Sequence, residues 1–130
     1  MNNTITPEQT EKIAEWLGFV LNNYPDGRGY FWSKQGVNDI DDDPNQKYMR
    51  NWLSSPEGQI AIMDQLSYEG IIVKLQPVNL YVDENFAYAV FLTKKITVYG
   101  ESYIASATGK ERCIALIKAV NEYLTQKGQT

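Results

Sequence analysis

The hydrophobic period of this chain changes partway along, and that change sets what the second half can become. Ile71, Val73 and Leu75 alternate with Ile72, Lys74 and Gln76, the period of two expected of a strand. Pro77 ends that strand or places it at an edge. Asn85 to Thr93 then carries Phe86, Tyr88, Val90 and Leu92 on one face and Ala87, Ala89 and Phe91 on the other. A strand that is apolar on both faces has to be covered on both. Thr93-Lys94-Lys95 reads as a short reversal, and Ile96 to Ala107 as a third strand with a bend at Gly100. Such short connections imply antiparallel pairing. Past Ala107 the helical period takes over. Thr108-Gly109-Lys110-Glu111 has the form of a capping box, and Cys113, Leu116, Ile117, Val120 and Leu124 fall on one helical stripe.

The first half is helical at both ends. Thr6-Pro7-Glu8-Gln9 opens a helix with a cap, a first-turn proline and a reciprocal glutamine. Ile13, Trp16, Leu17 and Val20 then form its apolar face. Ser54-Ser55-Pro56-Glu57 opens a second helix, with Ile60, Ile62, Met63 and Leu66 as its buried side and Gly70 past its end. The spacing predicts helices over 6–21, 55–69 and 109–126. Together with the strands this gives an α+β fold: an antiparallel sheet of three or four strands with helices packed on it. Residues 1–130 are read as a single domain, the ordinary size for one. Residues 22–51 between the first two helices show so little periodicity that they read as an irregular aromatic and acidic loop segment.

Composition removes several chemistries. The chain has no histidine and one cysteine, so His-dependent triads, His-ligated metals and an intramolecular disulfide are excluded. Cys113 falls within a helical apolar stripe and reads as a packed small hydrophobe. The net charge of −4 and the scattered lysines argue against nucleic acid as a partner. Neither a signal peptide nor a membrane span is legible, which places the protein in the cytoplasm, with no membrane partner. Asp39 to Asp43 invites a calcium reading. An EF-hand loop starting at Asp39 needs glycine at its sixth position and glutamate at its twelfth, and has Pro44 and Arg50 there. No metal or cofactor is therefore assigned.

The aromatic residues are the stronger feature. Nine are tyrosines, which suit interfaces because each offers apolar area with a polar tip. Tyr30, Trp32, Tyr48 and Trp52 lie in or beside the irregular segment, together with Arg28 and Arg50. Aromatic faces beside guanidinium groups can hold planar or anionic ligands. Tyr30, Trp32, Arg50 and Trp52 are accordingly the candidate ligand-binding residues, and no residue is assigned a catalytic role.

The order of these features resembles a known family. A helix with Ile13-Ala14-Glu15-Trp16-Leu17-Gly18 precedes Tyr30-Phe31-Trp32. Trp52-Leu53-Ser54-Ser55 leads a helix ending in Glu69-Gly70, and a last helix carries Cys113-Ile114-Ala115-Leu116-Ile117-Lys118-Ala119-Val120. Over nearly the whole chain this resembles the phage ABA sandwich domain family, small proteins of phages and prophages. The resemblance implies a layered α/β/α sandwich and an accessory role in the host cell. It implies no reaction and no functional residues. The function expected is a non-catalytic accessory protein that binds a small signal molecule or a host protein in counter-defence. The alternative is a small metal-assisted hydrolase using the Asp39–Asp43 carboxylates. A homo-oligomer is expected if only one face of the sheet is covered within the chain.

Overall fold

The computed structural model describes residues 5–27, 29–77, 88–97 and 100–128. It holds α1 (Pro7–Trp16), β1 (Val20–Asn23), β2 (Tyr30–Lys34), β3 (Val37–Asp42), α2 (Lys47–Ser54), α3 (Pro56–Tyr68), β4 (Ile71–Pro77), β5 (Tyr88–Thr97), β6 (Gly100–Gly109) and α4 (Arg112–Gly128). The α+β class holds: helices pack on antiparallel sheets. The strands are divided between two three-stranded sheets, β1-β2-β3 and β4-β5-β6, where one sheet was expected. No helix among the described residues is long and apolar enough to cross a membrane.

α1 begins as its sequence dictates. Gln9 donates its backbone N–H to Thr6 Oγ1 (3.2 Å), and Thr6 returns its own N–H to Gln9 Oε1 (3.0 Å). The helix stops five residues short of the expected Leu21, because Gly18 takes a φ of +98°. The Gly18 amide then donates to Glu15 O and the Phe19 amide to Ala14 O, the pair of bonds that closes a Schellman end. Val20 and Leu21 are thereby released into β1.

The expected irregular segment 22–51 is mostly regular. β1, β2 and β3 form a meander, with Leu21 opposite Trp32 and Trp32 opposite Ile40. Lys34 pairs with Val37, so Gln35-Gly36 is a two-residue turn with Gly36 at φ +86°. α2 follows and meets α3 at Ser55, which closes one helix and caps the other. Arg28 and the strand positions Phe86 and Ala87 lie outside the described residues.

α3 turns a narrower face inward than expected. Gly58, Ile62 and Leu66, four residues apart, are buried, whereas Ile60 (61%) and Met63 (43%) are exposed. In the second sheet Val73 pairs with Leu92 and Leu92 with Ala105. The expected reversal at Thr93–Lys95 lies inside β5, whose Thr97 pairs with Gly100 of β6. β6 carries an irregularity opposite Leu92 and Thr93. Val90, Leu92 and Ala105 are buried, and α4 lies across β5 and β6 while α3 lies against β4. On the opposite face Lys74 reaches Glu101 (2.5 Å) and Tyr103 is exposed. α2 packs on β3, and α1 packs on α2 and α4. One apolar cluster runs from Phe19 and Trp32 through Met49, Leu53 and Ile62 to Leu92, Ile117 and Val120.

Candidate functional site

None of the four residues of the predicted aromatic site is exposed: Trp32 is buried, and Tyr30, Arg50 and Trp52 are half-buried. Trp32 has no exposed surface. Its Nε1–H is shared between Asp42 Oδ2 (3.1 Å) and Gln46 Oε1 (2.9 Å), so both the ring and its polar tip are occupied within the fold. Trp52 meets Phe19 edge to face at 5.1 Å. Half-buried Tyr30 is a β2 ladder residue between Asn23 and Asp42. Arg50 donates from Nη1 to Ile5 O (3.2 Å). It lines a cleft of about 220 Å³ that it shares with Ser54, Glu111 and Cys113. The aromatic residues thus pin the β1–β3 meander onto α2, because each ring is the largest apolar surface a short polar strand has to bury.

In the acidic run, Asp42 and Asp43 are likewise spent on structure. Asp42 Oδ1 accepts from the Asp43 and Tyr48 amides (3.0 Å each), and its Oδ2 from the Met49 amide (3.2 Å). Asp43 Oδ1 accepts from the Asn45 amide (2.9 Å). Among the described residues no three acidic or cysteine side chains are grouped to hold a metal ion. Cys113 donates weakly to Glu111 Oε2 (3.5 Å). Burial, and then the neighbouring Glu111, push its pKa above the usual thiol value, so it is a protonated thiol at neutral pH.

A denser polar cluster sits where three helices converge. Glu69, just past α3, accepts from Trp16 Nε1 (2.7 Å) and Gln65 Nε2 (2.9 Å) on Oε2. Its Oε1 accepts from the Tyr123 hydroxyl (2.5 Å) and Lys127 Nζ (3.2 Å). Burial works to raise the pKa of this carboxyl. The hydrogen bonds from Tyr123, Gln65, Trp16 and Lys127 outweigh it and hold the group at about 2. A carboxylate held that low is a poor general base, and the cluster acts as a clamp on α1, α3 and α4. Its folded pKa lies below the unfolded value, so its stabilisation is present above pH 4.5 and is lost as the pH falls towards 2. Glu69→Gln is expected to cost about 2 kcal/mol at pH 7, a value reduced for the carboxylate's partial contact with solvent. Urea unfolding should show the gap to wild type closing between pH 4.5 and pH 2.5.

The cleft with an unmet chemical demand lies beside this clamp, between α1 and α4. Its volume is about 440 Å³. Glu8, Gln9 and Lys12 line it from α1, and Lys118, Asn121 and Glu122 from α4. Two lysines and two glutamates leave it with no net charge. Asn121 is 5% exposed. Its Nδ2 donates to Ile117 O (3.1 Å), while its Oδ1 is buried and accepts no hydrogen bond. Thr125 Oγ1 donates to Asn121 O (2.8 Å) and accepts from Lys12 Nζ (3.1 Å), which bridges the two helices at one end of the cleft.

Sequence reasoning passed over Asn121, although a signal was there. It stands four residues after Ile117 and next to Val120, inside the inward stripe of α4, where an apolar residue is the rule. An unpaired buried acceptor costs roughly 1–3 kcal/mol, so an amide at this position costs stability that leucine would not. Compared with family models, curated proteins and solved structures, the chain matches none.

Proposed function

We propose that this protein is a non-catalytic binding domain that holds a small neutral ligand in the cleft between α1 and α4. The observation that carries the reading is Asn121 Oδ1, an acceptor with no donor, on a residue lining a polar cleft of ligand size. A ligand hydroxyl or amide N–H supplies the missing bond. Balanced charge around the cleft favours a neutral ligand over a phosphate. In the phage or prophage setting that the resemblance implies, this is capture of a small signal molecule rather than of a host protein. Metal-assisted hydrolysis is the weaker reading, because Asp42 and Asp43 are engaged by backbone amides.

Asn121→Leu separates function from stability. Removing an unpaired buried amide is expected to raise stability by about 1 kcal/mol, read by urea unfolding. Binding of neutral polyols or amides, followed in the wild type through the Asn121 side-chain amide signals and in both proteins through the backbone amides of α1 and α4 in NMR, should fall at least tenfold in the variant. A variant that loses stability, or an Asn121 signal that no such compound moves, refutes the reading.

A further inference from the structure

We infer that the site is bipartite and takes an amphiphilic ligand: a neutral hydroxyl- or amide-bearing head at Asn121, joined to one apolar ring-sized body lying against Trp16 and Leu124. This deepens the reading of the α1–α4 cleft and rests on it. A second cleft, of about 600 Å³, continues from the first along the same two helices. Lys12 and Thr125 line both, so the Lys12–Thr125 hydrogen bond is the waist between two compartments and not the end of one. Lys12 and Thr125 are both exposed, and their bond can open to a ligand that spans the waist.

The compartments differ in chemistry. The first is lined by Asn121, whose buried Oδ1 is unpaired, by Gln9 and by charged side chains. In the second, Trp16 and Leu124 supply apolar surface, and Gly128 at the end of α4 leaves the space beside it open. The Trp16 ring is held in place from behind, because Glu69 fixes its Nε1–H at 2.7 Å. A ring fixed in this way offers a flat apolar wall at little ordering cost to a ligand. From Asn121 to Gly128 the α4 axis rises roughly 10 Å, the length of a sugar or amide carrying one aromatic ring. Along the whole groove three lysines (Lys12, Lys118, Lys127) face three glutamates (Glu8, Glu15, Glu122), so the groove taken together does not select a polyanion.

The test uses paired probes on the full chain: methyl and phenyl β-glucoside, acetamide and N-phenylacetamide, and phenyl phosphate. The Asn121 side-chain amide and the Trp16 indole N–H report the two compartments separately by NMR. In at least one pair the phenyl member should bind tenfold or more tighter and move both signals, while its partner moves Asn121 alone. Leu124→Ser should abolish that tenfold advantage and leave the small member unaffected, and Asn121→Leu, followed through the backbone amides of α1 and α4 and the Trp16 indole, should weaken both. Equal affinity within each pair, with Asn121 still perturbed, overturns the bipartite site and leaves the cleft reading intact. Phenyl phosphate binding tightest overturns the neutral head. No response at Asn121 to any probe overturns both. Should Leu124→Ser prove unstable, Gly128→Phe provides the same answer by filling the second compartment from its open end.

Discussion

Replacing Gly58 by alanine is expected to lower the unfolding free energy by about 3 kcal/mol or more, the upper range for forcing atoms into a packed site. The reason is the single residue that joins α2 to α3. Ser55 ends one helix and caps the next: its N–H donates to Trp52 O (3.0 Å), while its Oγ donates to the same oxygen and accepts from the Gly58 amide (3.2 Å). So tight an elbow drives the first turn of α3 into the last turn of α2. A Cβ on Gly58 would stand 2.1 Å from Trp52 O and 2.7 Å from Leu53 Cα. Both are backbone atoms, so no side chain can step aside. The elbow has to open, and Met49 and Leu53, both fully buried, move with it. Thermal unfolding should fall by about 10 °C or more. Gly128→Ala is the control. Nothing lies within 4 Å of its added Cβ, and helix propensity alone favours alanine there by up to about 1 kcal/mol. A Gly58→Ala variant within 1 kcal/mol of wild type would show the elbow to be far more compliant than its geometry requires.

Much of this architecture is legible in local signals. The Thr6–Gln9 box, Ser55 before Pro56, and the alternation at Ile71–Leu75 each state their own conformation within a few residues, and each is realised. The misread places are those where a distant partner decides. Residues 22–51 look irregular because their strands are short and rich in Asn and Asp, whose local preference is for turns. They are strands because Trp32 and Phe19 need burial against α2, which is visible only in three dimensions. α2 shows no cap in its own sequence. Gln46 at its N-cap is left-handed, at φ +56°, and offers no side-chain bond. Ile60 and Met63 read as core because they are apolar at helical spacing, yet the close approach of Gly58 rotates α3 so that Ile62 and Leu66 take the inner positions.

The candidate site divides in the same way. Aromatic residues draw attention as ligand faces, but in short polar strands they are the only large apolar surface available, and the core claims them first. Trp32 is the clear case, being fully buried with its N–H spoken for. Arg50 lies near in sequence and not in the same cleft. Asn121 is the converse. It is a single polar residue in an apolar stripe, and its meaning appears only when α1 is seen to leave a polar cleft beside it.

Asp42→Ala should be the most damaging substitution in the acidic run, costing about 3–4 kcal/mol, the range for removing a buried hydrogen-bonded charge from its partners. Asp42 closes β3, yet it caps α2 from outside that helix. Its carboxylate takes the amides of Tyr48 and Met49 at the second and third helical positions, which the left-handed Gln46 leaves unsatisfied. It takes the Asp43 amide and the Trp32 indole as well. The negative charge also sits where the helix dipole is positive. Alanine would strand the Met49 amide, on a residue with no exposed surface, and leave Trp32 to Gln46 alone. Asp42→Asn keeps the shape but turns an NH₂ towards donors, and should cost about half as much. Asp39→Ala, on an exposed β3 residue, should lie within about 0.5 kcal/mol of wild type. Hydrogen exchange gives the local reading: in Asp42→Ala the Tyr48 and Met49 amides should lose protection before those of α4. The same variants test the metal-assisted alternative. If calcium stabilises wild type and Asp39→Ala or Asp43→Asn abolishes that effect, the acidic run is a cation site and not a helix cap; unchanged unfolding with and without calcium, with the loss confined to Asp42, is the result expected of the cap.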